Sequence, residues 1–221
     1  MKRGTLTEPH GLWLVDKPYK KSSFWAVAAL RKLTGVKKVG HAGTLDPLAT
    51  GLLLLLVGKE YTRQAESLLK QDKEYRLEVT LGANTTTDDL EGELSQVSDR
   101  QPTREEVQEA LHTLTGEIMQ TPPIYSAMKI GGQRAYKLAR KGKEVKLDSR
   151  PVTVYHWCDV EYLYPFIRAT VKVSSGTYIR SLARDIGGQL GTGAHLSALR
   201  RTKIGEYDVQ DAVALENIHP I

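Results

Sequence analysis

The chain of 221 residues is 40% hydrophobic and 26% charged, a globular composition that excludes disorder and suits one large domain or two small ones. Its longest aliphatic run, Leu52 to Val57, is far too short to span a bilayer, and the N-terminal MKRGTLTEPHG lacks the apolar stretch of a secretion signal. The single cysteine, Cys158, excludes an internal disulfide and a cysteine-built zinc cluster and fits a reducing cytoplasm, the expected location.

The net charge of +5 is unevenly spread: residues 1–59 carry +7, residues 60–117 carry −8, residues 118–203 carry +10 and residues 204–221 carry −4. Two basic segments brought together by the fold would attract a polyanion, nucleic acid first among them. The same counts also fit scattered, solvated lysines.

In chain order, GLWLVD at 11–16 predicts a short strand stopped by Lys17-Pro18. Ser22 or Ser23 caps a helix through FWAVAALRKL that stops at Gly35. Gly40 to Pro47, punctuated by glycine and proline, reads as loop, and LLLLLV after it as a strand covered on both faces. In KEYRLEVTLG the alternation of Tyr75, Leu77, Val79 and Leu81 with Arg76, Glu78 and Thr80 predicts a strand with Tyr75 on its buried face. Thr103-Arg-Glu-Glu106 fits a capping box that opens a helix through Leu114. Residues 121–148 turn basic and irregular and read as an exposed excursion. Strands at about 151–163 and 166–174 follow, and Ile179, Leu182, Ala183, Ile186 and Leu190 then recur at helical spacing after Gly176-Thr177. Strands and helices mix without a βαβ rhythm, so the expected fold class is α+β.

The six histidines (His10, His41, His112, His156, His195 and His219) show no metal-binding spacing, and neither a phosphate loop nor a dinucleotide fingerprint is present. No cofactor and no metal is expected. Asp46 stands in GHAGTLDPLATG, residues 40–51, between glycines and before Pro47; a reactive carboxylate and an ordinary turn opener both fit there. Arg180 falls in the first turn of a helix, where the helix dipole disfavours a cation, and so calls for a carboxylate or phosphate partner unless its stem simply lies along the surface. Tyr75 reads as core with a hydroxyl to satisfy.

Six segments together closely resemble the bacterial tRNA pseudouridine-55 synthase (TruB) family: GLWLVDKPYKKSSF at 11–24, GHAGTLDPLATGLL at 40–53, KEYRLEVTLGANTTTDDLEG at 73–92, TPPIYSAMKIGGQRAYKLARKG at 121–142, SSGTYIRSLARDIG at 174–187 and AHLSALRRTKIG at 194–205. The resemblance implies a pseudouridine-synthase fold, with a mixed, mostly antiparallel sheet flanked by helices and loops, over residues 1–221. It implies a basic RNA-clamping thumb insertion at 122–148. The small RNA-binding PUA domain that family members usually carry beyond this block is expected to be absent. By resemblance the catalytic aspartate is Asp46, the base-stacking tyrosine Tyr75, the arginine paired with the catalytic aspartate Arg180, and the histidine that fills the gap left by a flipped base His41. Tyr178 and Leu199 match positions that line the uridine pocket. The implied substrate is the TΨC stem-loop of tRNA, the implied state a monomer without membrane or obligate protein partner. A guide-dependent branch that modifies ribosomal RNA shares the GTLDP-type loop and is expected to lack the thumb. An RNA-binding relic would be expected to have lost one of Asp46, Tyr75 and Arg180. A glycoside hydrolase would need a second catalytic carboxylate, which is not visible.

Overall fold

The computed structural model describes residues 1, 3–96, 98–126, 129–130, 133–134 and 147–215. They fall into two compact units, one within Met1–Arg76 and Ala198–Ile221, the other within Leu77–Ser197.

In the first unit, β1 (Gly11–Lys17) leads to α1 (Ser23–Thr34). Ser22 caps this helix by accepting the Trp25 N–H at 3.1 Å, and Gly35 ends it with a φ of +69°, the left-handed conformation of a C-terminal cap. Buried Ser23, Ala26, Val27 and Leu30 form its inner stripe. Next come β2 (Val39–Ala42) and β3 (Thr50–Val57). Here the expected loop at Gly40–Pro47 is corrected: Gly40 and His41 belong to β2, which pairs antiparallel with β3 from Val39↔Val57 to Ala42↔Leu54. The open edge of an aliphatic strand supplies backbone partners that outweigh the breaking tendency of one glycine. β1 runs antiparallel to β3 along its whole length. Leu52 to Val57 are all fully buried, as the unbroken aliphatic run predicts; Leu52, Leu54 and Leu56 join Leu12, Leu14 and Ile204 in one cluster. Two short helices follow, α2 (Lys59–Thr62) and α3 (Ala65–Leu69), and α3 adds Leu68 to that cluster.

β4 (Lys73–Leu81) passes from the first unit to the second and keeps the predicted alternation, with Tyr75, Leu77, Val79 and Leu81 buried and Arg76 exposed. β5 (Ala83–Thr85) and β6 (Leu94–Gln96) make an antiparallel ribbon. α4 (Arg104–Thr113) opens with the predicted capping box: Glu106 N–H donates to Thr103 Oγ1 at 3.2 Å, and Thr103 N–H donates to Glu106 Oε2 at 2.7 Å. β7 (Gly116–Gln120) follows. The greater part of the expected thumb, 122–148, lies outside the described residues; within it β8 (Lys129–Ile130) pairs antiparallel with β9 (Gln133–Arg134). β10 (Arg150–Leu163) and β11 (Phe166–Val173) complete the sheet order β4-β11-β10-β7, with β10 antiparallel to both its neighbours.

α5 (Ile179–Leu190) buries eight of its twelve residues, and Gly191, at φ +63°, ends it. β12 (Ala194–Ile204) then returns to the first unit, where Arg200 and Arg201 pair in parallel with Thr50 and Gly51 of β3, and β13 (Tyr207–Asp208) folds back on its end. The architecture is α+β with mostly antiparallel pairing, as expected.

The α5–β12 turn is tight. A Cβ on Gly187 would lie 2.3 Å from the Ala194 nitrogen, whereas Gly188, one residue on, is exposed and faces open space. Gly188→Ala should therefore stabilise the protein by about 0.5–1 kcal/mol through helix propensity alone. Gly187→Ala should destabilise it by roughly 1–3 kcal/mol through overpacking. Urea midpoints of the two variants should move in opposite directions; a stabilised Gly187→Ala would contradict the close approach.

Candidate active site and the loop that carries Asp46

The first unit holds His41, Asp46, Tyr75 and Leu199; Tyr178 and Arg180 belong to the second. The loop from Gly43 to Ala49 is fixed through its backbone. Buried Ser23 holds Leu45, the residue before Asp46, by both of its backbone groups: its Oγ accepts the Leu45 N–H at 2.8 Å and donates to the Leu45 carbonyl at 3.0 Å. The Pro47 carbonyl accepts the Lys20 N–H at 2.9 Å and the Lys17 ammonium at 3.4 Å. Ala49 N–H donates to the Asp46 carbonyl at 3.1 Å, and the Gly43 carbonyl accepts Arg201 Nη2 at 3.0 Å. The half-buried Asp46 side chain thus sits on a loop whose backbone is pinned at several points.

Two buried cations stand at this loop. Lys17 is fully buried and donates to the carbonyls of Pro18 at 2.9 Å and Lys21 at 2.5 Å. Burial pushes its pKa down to about 8; the Asp46 carboxylate pulls the other way, and Arg201 adds repulsion. Arg201, 1% exposed, also donates Nε to the Leu52 carbonyl at 2.8 Å. His41 lies half-buried on β2 with Nδ1 buried and no hydrogen-bonding partner among the described residues. Burial and then Arg201 push its pKa below the ordinary range, which favours a neutral imidazole. Tyr75 is 8% exposed on β4, and the carbonyl of half-buried Leu199 on β12 accepts Thr50 Oγ1 at 3.4 Å.

In the second unit, Tyr178 precedes α5, and its backbone pairs with one side-chain amide: Tyr178 N–H donates to Gln120 Oε1 at 2.8 Å and Gln120 Nε2 donates to the Tyr178 carbonyl at 3.2 Å. The Arg150 guanidinium lies 5.9 Å from the Tyr178 ring centroid. Arg180 is 6% exposed rather than a surface arginine. It donates to the carbonyls of Thr87 at 3.1 Å and Tyr125 at 3.0 Å and meets the Asp89 carboxylate at 3.5 Å. Asp89 is itself braced, accepting Thr87 Oγ1 at 2.6 Å and the Glu91 N–H at 3.0 Å. One turn further on, Arg184 pairs with Asp88 at 3.0 Å and donates to the Thr121 carbonyl at 2.8 Å. Burial lifts the Asp88 and Asp185 carboxyls above their ordinary range, and Arg184 opposes that rise in both. Sequence reasoning missed Lys17, Asp89, Gln120 and Arg201. Among the described residues no three His, Cys, Asp or Glu side chains gather so as to hold a metal ion, and no helix is long and apolar enough to cross a membrane.

The family model described as the TruB family pseudouridylate synthase N-terminal domain matches residues 31–179, and that of the tRNA pseudouridylate synthase B C-terminal domain matches residues 180–220. The chain is similar to proteins named tRNA pseudouridine synthase B. It is 44% identical to that of Protochlamydia amoebophila over 212 residues, 96% of this chain and 80% of the relative. It is 46% identical to that of Arthrobacter sp. strain FB24 over 216 residues, 94% of this chain and 70% of the relative. Among solved structures, a Cbf5-Nop10-Gar1 complex gives a TM-score of 0.71 at 29% identity, over 94% of this chain and 53% of the solved one. An archaeal box H/ACA sRNP Nop10-Cbf5 complex gives 0.70 at 27% identity, over 94% and 52%. The chain spans about half the length of those two solved chains.

The Lys17 environment has a consequence for stability. With a folded pKa of about 8 against an ordinary 10.5, the folded state holds fewer protons than the unfolded state between those values, so this lysine's contribution rises with pH there. Between pH 8 and 10.5 the stability of wild type relative to Lys17→Met should therefore rise, by roughly 3 kcal/mol at most. Denaturant titrations across that window check this, and a gap independent of pH would contradict the burial of the charge.

Proposed function

Because this chain belongs to the TruB family of pseudouridylate synthases, we propose that it isomerises uridine to pseudouridine at position 55, in the TΨC loop of tRNA. It is an isomerase of the pseudouridine synthase class, and its relatives' names point to tRNA as the substrate. The identity of 44–46% to those proteins, against 27–29% to the Cbf5 chains, favours tRNA over a guide-bound target.

The N1–C1′ bond of the uridine breaks, the uracil turns, and C5 bonds to C1′ while the C5 proton leaves and N1 gains one. Reactant and product are isomers. The nucleotide is flipped out of its loop to expose these atoms. Asp46, Tyr75 and Arg180 carry the chemistry: Asp46 as nucleophile or base, Tyr75 stacking on the flipped uracil with its hydroxyl placed to help remove the C5 proton, and Arg180 in the role that the resemblance implies. His41, half-buried and favoured as neutral, fills the gap left by the base without adding a charge. Tyr178 and Leu199 match the positions that line the uridine pocket in this family, and the basic segments, including the 122–148 thumb, hold RNA phosphates.

The observation that carries this reading is the Asp46 loop, whose backbone is pinned at Leu45, Pro47 and Gly43 while two buried cations stand at it. A reactive carboxylate needs this kind of fixed presentation. Incubation with an unmodified tRNA transcript, followed by mapping of pseudouridine, tests the reading. Asp46→Asn should keep the fold and RNA binding and make no product, and turnover near the wild-type rate would refute the role of Asp46. Tyr75→Phe should keep tRNA affinity while turnover falls about 100-fold if the hydroxyl takes part in proton removal. Undiminished turnover would leave Tyr75 as a stacking residue.

A further inference from the structure

We propose that the β1–α1 turn and the first turn of α1 form an RNA-contact surface, in which Tyr19 and Phe24 stack on unpaired bases beside the target uridine while Lys20 and Lys21 meet phosphates. The inference rests on the reading of the protein as an RNA uridine isomerase and goes beyond it by adding a binding surface outside the uridine pocket.

A single exposed aromatic residue calls for no explanation. Here Tyr19 is 52% and Phe24 66% exposed, five positions apart, and the half-buried Trp25 adjoins them. Each of the three rings has a cation over it: Lys20 at 5.4 Å from Tyr19, Arg31 at 5.9 Å from Phe24, and Lys21 at 5.5 Å from Trp25. From Lys17 to Leu45 the sequence holds seven Lys and Arg residues and no Asp or Glu, so the segment supplies no carboxylate of its own to these cations. Exposed π-faces interleaved with uncompensated positive charge suit a partner that is both flat-faced and anionic, which is what unpaired RNA presents.

Location selects the occupant. Lys20 N–H donates to the Pro47 carbonyl at 2.9 Å, which joins this surface directly to the residue after Asp46. Nucleotides on either side of a uridine presented to Asp46 would run over it. Serine at position 22 caps the helix and buried Ser23 clamps Leu45, so the backbone beneath the aromatics is fixed by the same bonds that fix the Asp46 loop. Tyr19 and Phe24 therefore stand ready without a folding cost on binding.

The test uses the full chain and a fluorescently labelled TΨC stem-loop RNA, with Kd read by anisotropy and kcat/KM by pseudouridine formation. Tyr19→Ala and Phe24→Ala should each raise Kd and lower kcat/KM by about 5- to 150-fold, the range for loss of one stacked base. Tyr19→Phe and Phe24→Tyr, which keep the rings, should bind as wild type does. Lys20→Ala with Lys21→Ala should flatten the slope of log Kd against log salt by about 1.5. Alanine variants that fold as wild type and bind within twofold of it would overturn the proposal, as would loss of binding to anionic phospholipid vesicles with RNA affinity unchanged. If wild type binds the RNA but forms no pseudouridine, the functional reading fails while the Kd series still decides the surface.

Discussion

A single guanidinium, that of Arg201, governs the first compact unit. Sealed from water, it cannot shed its proton and must find acceptors within the protein. It takes the carbonyls of Gly43 and Leu52, which lie on either side of the Asp46 loop, and so ties that loop's two ends to one strand. The approach is close enough to dictate residue types. At Gly51, with φ +98°, a Cβ would fall 2.3 Å from the Arg201 carbonyl oxygen, and at Gly43, with φ +88°, it would come 3.3 Å from Nη1. The same charge reaches further: its repulsion adds to burial in lowering the pKa of Lys17, His41 and Lys73. One buried cation thus shapes the loop and limits how much more positive charge can gather around it.

Much of this was legible in the residues, and what was not has a physical reason. The period-two pattern around Tyr75, the aliphatic run of β3, the Thr103 capping box and the helical spacing after Ile179 all report burial or capping, which side-chain type encodes directly. β2 was hidden because its pairing depends on an edge that β3 offers from elsewhere in the chain. β12 carries no alternation: Ala194, His195 and Leu196 are all buried, as is Arg201, while the residues between are not. Among the site residues, Arg180 stood out because a cation in the first turn of a helix conflicts with its local setting, whereas Asp46 before Pro47 fitted an ordinary turn as well and was marked out by the resemblance. Lys17 and Arg201 did not, since a lysine or arginine satisfied by backbone carbonyls looks in sequence like a solvated one. Asp89 was lost among the polar residues of TTTDDLEG, where nothing sets it apart from its neighbours, although its carboxylate answers the cation at Arg180.

In the second unit α5 uses two arginines, one helical turn apart, in the same way. Arg180 reaches the Thr87 and Tyr125 carbonyls; Arg184 reaches Asp88 and the Thr121 carbonyl. Each planar fork therefore spans the same two segments, one at 87–89 and one at 121–125, and a lysine's point charge could not bridge them in this fashion. Asp88 accommodates this with a left-handed φ of +61°, a conformation that aspartate tolerates better than most residues. The helix acts as a spine to which two distant stretches of chain are fastened.

The buried amine of Lys17 also makes this loop chemically observable. With a pKa near 8, about a tenth of it is unprotonated at neutral pH, a nucleophilic fraction that an ordinary surface lysine lacks. Yet it is wholly covered, with Nζ committed to the carbonyls of Pro18, Lys21 and Pro47. An acylating reagent can modify it only in the moments when the turn and the Asp46 loop part from each other, so the rate of its acylation measures how often the loop opens. An RNA seated on that loop would slow the reaction by holding it shut, which turns one lysine into an internal clock for substrate occupancy.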